Sequence, residues 1–156
     1  MIVVKTEILV NAPIEVCFDL ARDIDVHTQT VWKHTREKAI EGVTSGKIGL
    51  GEFVTFQATH FGIRQRLTSC IVEYERPYKF VDQMVRGAFK SMRHIHEFEC
   101  KGTQTLMQDT LIFEAPFGVL GYIAERMVLH GYMRKFLNDR NAKLKMLAEA
   151  LRDHAV

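Results

Sequence analysis

The carboxy-terminal part of the chain carries the pattern that most limits what it can fold into. After "APFG", Leu120, Ile123, Met127, Met133, Leu137, Leu144, Leu147 and Leu151 recur at steps built mostly from threes and fours, with Glu, Lys and Arg between them. That spacing predicts a helix with one apolar side. Some 35 residues at about 1.5 Å each extend roughly 50 Å, long for a small domain, and Gly131 is the expected place for a bend. So long an apolar stripe needs a concave apolar partner, which the rest of the chain has to supply.

The preceding sequence provides strands. Residues 2–10 alternate apolar and polar, and Asn11, Ala12 and Pro13 then mark a helix start, with Asn11 as the expected N-cap. Val16, Phe18, Leu20 and Ala21 form the buried side of a short helix ending near residue 22. A second short helix is expected over residues 25–33, with Trp32 at its end. From Ala39 the period changes to two. Beyond the turn-rich "GVTSGKIGLGE", five strands fit residues 52–61, 63–74, 80–85, 89–100 and 104–114, joined by Gly62, "ERPYK", "RGA" and "KGT". These short connections predict an antiparallel meander. The expected fold class is α+β, with about seven curved antiparallel strands wrapped around a long last helix and two short helices after the first strand.

Composition narrows the function classes. At 156 residues and 47% hydrophobic content, one domain with one core is expected, spanning residues 1–156. The 21 basic and 19 acidic residues are interspersed, which is not the footprint of a nucleic-acid binder. "MIVVKTEILV" has no long apolar run, so neither a signal peptide nor integral membrane association is expected, and the location read from this is the cytoplasm. Cys17, Cys70 and Cys100 lie in apolar segments without metal-type spacing and are expected to be buried, reduced thiols.

Strand parity identifies the candidate site. Alternate strand residues share a face, so "SMRHIHEF" puts His94 and His96 on the side of Met92 and Phe98. By the same rule Phe80, Asp82 and Met84 share a face, as do Val54, Phe56, Ala58 and His60. Asp109 falls among Met107, Leu111 and Phe113. Three histidines and two aspartates therefore point to the apolar side of the sheet. Burying an unpaired carboxylate is costly, so this cluster is expected to be internally paired, with Arg86 as a further candidate partner. Trp32 and Met127 complete the candidate ligand-binding residues. Tyr122, Arg126 and Tyr132 on the last helix could contact a ligand, and Arg134, Lys135, Arg140, Lys143 and Lys145 are expected on its polar side.

The segments "NAPIEVCFDLARDI", "GLGEFVTFQATHFG", "YERPYKFVDQMVRGAFKSMRHIHEFE" and "FEAPFGVLGYIAERM" resemble, along essentially the whole chain, the START and polyketide-cyclase superfamily, also called SRPBCC. Its helix-grip fold is shared with the birch-pollen allergens. "HFG", "FVDQMVRGAFKSMRH" and "PFG" resemble a bacterial subgroup loosely linked to ligand binding and cell division. The resemblance implies a deep cavity between sheet and helix for hydrophobic or amphipathic molecules such as lipids, sterols, polyketides and plant hormones. It brings no matching catalytic motif.

Three uses of the cluster compete. It could be structural, its members satisfying one another. It could hold the polar head of an apolar ligand. It could be chemical, with His94, His96 or His60 as a general base beside Asp82 or Asp109 in a cyclase, dehydratase or hydrolase. A divalent metal on His60, His94 and His96 is a weaker variant of the last. The expectation is binding of a hydrophobic small molecule by a monomer or homodimer, with no metal or other cofactor. The alternative is the enzyme, and a protein-interaction module with a vestigial cavity is a third class.

Overall fold

The structure, a computed structural model, describes residues 1–116 and 118–154, at positions 121, 122 and 125 through the backbone only. Strand β1 (Ile2–Val10) is followed by helices α1 (Ile14–Ala21) and α2 (Ile24–Thr30) and a 3₁₀ turn (Lys33–Thr35). Strands β2 (Lys38–Gly42), β3 (Phe53–His60), β4 (Ile63–Glu75), β5 (Lys79–Arg86), β6 (Ser91–Lys101) and β7 (Gln104–Glu114) come next. Helix α3 (Gly118–Ala124), a π turn (Glu125–Leu129) and helix α4 (His130–His154) end the described chain.

The sheet order is β1-β7-β6-β5-β4-β3-β2, antiparallel at every pairing. Each hairpin joins neighbours in sequence, and β1 closes the far edge against β7. The inner face of β7 carries Thr105, Met107, Asp109, Leu111 and Phe113 in strict alternation, as a half-solvated sheet requires. This is the helix-grip architecture, with α4 packed on β1, α1 and α2.

Several local expectations are corrected. Asn11 does not cap α1, whose N-cap is Pro13; its backbone N–H instead donates to Glu149 Oε1 on α4 at 2.9 Å. Helix α2 is capped by Asp23, whose Oδ1 accepts from the N–H groups of Asp25 and Val26. The helical break falls in the π turn just ahead of Gly131. The buried stripe of α4 is Leu137, Arg140, Asn141, Leu144 and Ala148, whereas Leu147 and Leu151 face outward. Cys17 is buried and Cys70 half-buried, but Cys100 is exposed. Burial pushes the Cys17 thiol up to about 11, which keeps it protonated and inert.

Two apolar clusters flank the site. One gathers around Phe18, whose ring meets Tyr74, Phe80 and Phe98 edge-on at 5.3–5.4 Å, and includes Leu144 and Ala148. The other holds Val4, Met92, Leu111, Phe113 and Leu137. Along β6 the inner face therefore runs Met92, His94, His96, Phe98, placing a polar layer between the two clusters.

Candidate functional site

The polar layer is built by register across three strands. Asp82 on β5 lies opposite His94 on β6, and Asp109 on β7 lies opposite His96. The bonds run both straight and diagonally. His94 Nε2–H donates to Asp109 Oδ1 at 2.8 Å, and His96 Nδ1 lies 3.0 Å from the same oxygen. On the other side, His96 Nε2 is 2.9 Å from Asp82 Oδ2, and His94 Nδ1 is 3.9 Å from it. The two imidazoles lie against each other with centroids 3.8 Å apart, between two carboxylates, and Phe80 stacks on His96 at 4.2 Å.

Both carboxylates have a second holder. Ser69 Oγ–H donates to Asp82 Oδ1 at 2.8 Å, and Asn141 Nδ2–H donates from α4 to Asp109 Oδ2 at 2.6 Å. The cluster thus ties the sheet to the last helix. Arg86 is exposed at the end of β5, and among the described residues the cluster's hydrogen bonds come from the histidines, Ser69 and Asn141.

Electrostatics follow from this packing. Burial raises the Asp82 carboxyl, but the His96 bond, the two imidazoles and Ser69 outweigh it and hold the group at about 2. Asp109 is likewise driven well below the ordinary range, against its burial, by bonds from His94 and His96. Burial lowers His96, yet its two carboxylate partners raise it overall. Burial and the neighbouring His96 leave His94 lowered despite Asp109. The two imidazoles are therefore unequal: His96 is the more readily charged, and His94 keeps a free Nδ1 lone pair on the side of Asp82.

In front of the cluster lies a cavity of about 710 Å³ between the sheet and the carboxy-terminal helices. Val54, Phe56, Ala58, Leu67, Met92 and Leu111 line it from the strands; Leu120, Val128, Met133 and Leu137 line it from the helical side. Of the residues singled out from sequence, Phe56, His60, Asp82, Met92, His94 and His96 line this space.

Four others do not. Asp109 sits behind the histidines, buried against Asn141. Met84 packs beside the second apolar cluster, its sulfur so close to Gly87 that a Cβ there would meet it at 2.7 Å. Trp32 packs edge-on against Tyr132 and Phe136, and its indole N–H donates to Asp139 Oδ2 at 2.9 Å. Met127 is 79% exposed on the outer side of the π turn. The Tyr122 side chain and Phe117 lie outside the described residues.

A second polar group sits away from the aspartates. His60, on β3 and so three strands from β6 with His94 and His96, is hydrogen-bonded through Nδ1 to the Tyr132 hydroxyl at 2.6 Å. Burial lowers its pKa. His27 Nε2 meets Glu37 Oε1 at 2.5 Å and stacks on Phe56. Burial raises Glu37, but His27 more than offsets it and the carboxyl ends below its usual value. Arg140, expected on the solvent face, is 4% exposed, lines the cavity, and donates from Nη2 to the Ala21 carbonyl at 3.3 Å.

Sequence reasoning missed Ser69, His27, Glu37, Arg140 and Asn141 as members of the site. The signal for the last two is their place within the buried stripe: Arg140 and Asn141 follow Leu137 by three and four residues and precede Leu144 by four and three.

No family model matches the chain, and no curated protein matches it. Solved structures do match in fold. One from Thermus thermophilus, TTHA0849, superposes with a TM-score of 0.78 at 17% identity, covering 96% of this chain and 99% of that one. A START superfamily protein from Mycobacterium smegmatis gives 0.72 at 14% identity, with 96% and 98% covered. The ginseng major latex-like protein 151 from Panax ginseng gives 0.64 at 14%, with 94% and 96% covered. The chain has the helix-grip fold of the START superfamily and of the latex-like proteins. What is shared at these identities is the fold, and the link to cell division gains no support.

Proposed function

We propose that the chain binds a hydrophobic or amphipathic small molecule in the cavity, with the ligand's polar end against Asp82, Ser69 and His94. The observation that carries this reading is the cavity itself. Its volume suits a small organic ligand, its wall is largely apolar, and its polar groups are few and grouped. A polar layer facing an open space of this size offers hydrogen-bonding positions that a solid core would not need. The fold supports the reading in general terms, since it wraps a sheet around a helix without filling the space between them.

Binding is tested by native mass spectrometry of the purified chain with denaturing extraction of whatever it retains, and by titration with an apolar fluorescent probe. Ala58→Trp, placed on the cavity wall, should abolish probe binding while leaving the circular dichroism spectrum intact. Unchanged binding by the folded variant would overturn the proposal.

A second reading rests on one specific arrangement. Asp109 holds the Nε2–H of His94, which leaves Nδ1 as a base on the cavity side. Conversion of a retained ligand by the wild-type chain, lost in a folded His94→Gln variant, would favour an enzyme over a carrier.

A further inference from the structure

We propose that Asp82, His94 and His96 form a binding site for a divalent first-row transition-metal ion in the cavity wall, with Asp109 as the carboxylate behind both imidazoles. The donor atoms are Asp82 Oδ2, His94 Nδ1 and His96 Nε2, and all lie within 4.8 Å of one another. Bonds of about 2.0–2.2 Å to a tetrahedral ion separate neighbouring donors by about 3.4 Å. The observed separations from Asp82 Oδ2, 2.9 Å to His96 and 3.9 Å to His94, fall on either side of that value. Closing the longer and opening the shorter by about 0.5 Å each matches the tetrahedral spacing.

The orientation of the rings is the stronger argument. Metal-binding imidazoles characteristically donate their other N–H to a carboxylate, which fixes ring direction and tautomer. Here one oxygen, Asp109 Oδ1, accepts from His94 Nε2 at 2.8 Å and lies 3.0 Å from His96 Nδ1. The remaining nitrogen of each ring is thereby turned toward Asp82. Each carboxylate is in turn held by its other oxygen, Asp82 by Ser69 and Asp109 by Asn141. A donor triad with both its carboxylates and both its rings fixed from behind is pre-organised to a degree that mutual pairing alone does not require.

Charge and donor type identify the ion. Once the ion displaces the proton that His96 Nε2 shares with Asp82, releasing it to solvent, two carboxylates and two neutral imidazoles are balanced by a dication. Two nitrogens and one carboxylate oxygen suit zinc, iron, cobalt or nickel, whereas magnesium and calcium favour all-oxygen sites. Asp82 and His94 both line the cavity, so the open coordination positions face its interior, where water or a ligand oxygen would complete the shell. The sequence alone leads to an expectation of no metal, with His60 as the third imidazole of the weaker variant. The structure engages His60 with Tyr132 and sets Asp82 in that place.

This inference concerns an ion and stands whether or not an organic ligand fills the cavity. The test is titration of the chelator-treated full chain with Zn²⁺ and with Co²⁺, followed by calorimetry, by the visible absorption of cobalt, and by nitrogen NMR of labelled histidines. The expected result is one ion per chain, with zinc shifting His94 Nδ1 and His96 Nε2 and leaving the rest of the seven histidines unmoved. Asp109→Asn should weaken affinity about 10- to 100-fold, and Asp82→Asn should remove the cobalt band. The NMR measurement uses the wild-type chain and decides the matter even if these variants do not fold. Absence of saturable binding, or shifts at His27, His34, His60, His130 or His154 in place of His94 and His96, would overturn the proposal.

Discussion

Two stretches of the carboxy-terminal helix follow the same apolar spacing and meet opposite fates. In α4, Leu137, Leu144 and Ala148 are buried, and Asn141 reaches the sheet through Asp109. In α3 and the π turn, Val119, Leu120 and Met127 are 76–79% exposed, and α3 is in contact chiefly with the turn that follows it. Periodicity alone says only that a helix has an apolar side. What lies beneath that side decides whether it becomes core. Beneath α4 lie β1, α1 and α2, with the cavity at its first turns near Met133 and Leu137, whereas α3 has the cavity beside it and no strand beneath it among the described residues.

The comparison is broken most severely by removing the anchor of the packed half. Asp109→Ala leaves His94 and Asn141 without their shared acceptor, removes the carboxylate beside His96, and should cost about 3–5 kcal/mol, measured by urea denaturation. A loss under about 1 kcal/mol would mean the cluster does not tie helix to sheet. Leu144→Ala, at a fully buried position, should cost about 3 kcal/mol by the same measurement.

A pH series gives an intermediate effect. The folded pKa values of Asp82 and Asp109 lie below their ordinary ones, so the stability they contribute is complete above the unfolded value of 3.8 and is lost as pH falls toward the folded value, about 2 for Asp82. His96 is raised, so its contribution is present below 6.5 and fades as pH rises through its folded value. His94 and His60 are lowered, so their contributions are complete above 6.5 and fall as pH drops below it, opposing His96; the acid loss carried by Asp82 and Asp109 is what tests the pairing. A denaturation midpoint that stays level on acidification from about pH 5 to about pH 2 would contradict the paired arrangement.

The smallest effect belongs to the unpacked half. Val119→Ser and Met127→Ser should each change stability by less than about 0.5 kcal/mol, since neither side chain is part of the core. A destabilisation comparable to that of Leu144→Ala would show that this stretch packs as tightly as α4 and would erase the contrast.

Much of this molecule is legible in its residues alone. β1 and β7 fall on the expected residues, β3 to β6 differ by one or two positions at their ends, and β2 occupies the stretch from near Ala39 for which no bounds were expected. Strand parity brings His94, His96, Asp82 and Asp109 to one face because the period of two is a local property of extended backbone, independent of partners. The same rule cannot separate His60 from the other histidines, because parity gives direction and not distance along the sheet. Nor can it tell the lining Asp82 from Asp109 behind it, as that depends on which strand faces the open space.

Helical positions are harder. Arg140 and Asn141 lie within the stripe but are polar, and composition favours the outward Leu147 and Leu151 for the core. A buried guanidinium or amide is acceptable only where a carbonyl or carboxylate waits for it, here Ala21 and Asp109, which are 119 and 32 residues away along the chain. The sequence by itself thus determined the elements, their order and the inward face of each strand, since these follow from short-range periodicity and turn chemistry. Only the tertiary structure decided the strand register that sets His96 against Asp109, which part of the last helix is buried, and the cavity, because each is a relation between segments whose separation no local pattern encodes.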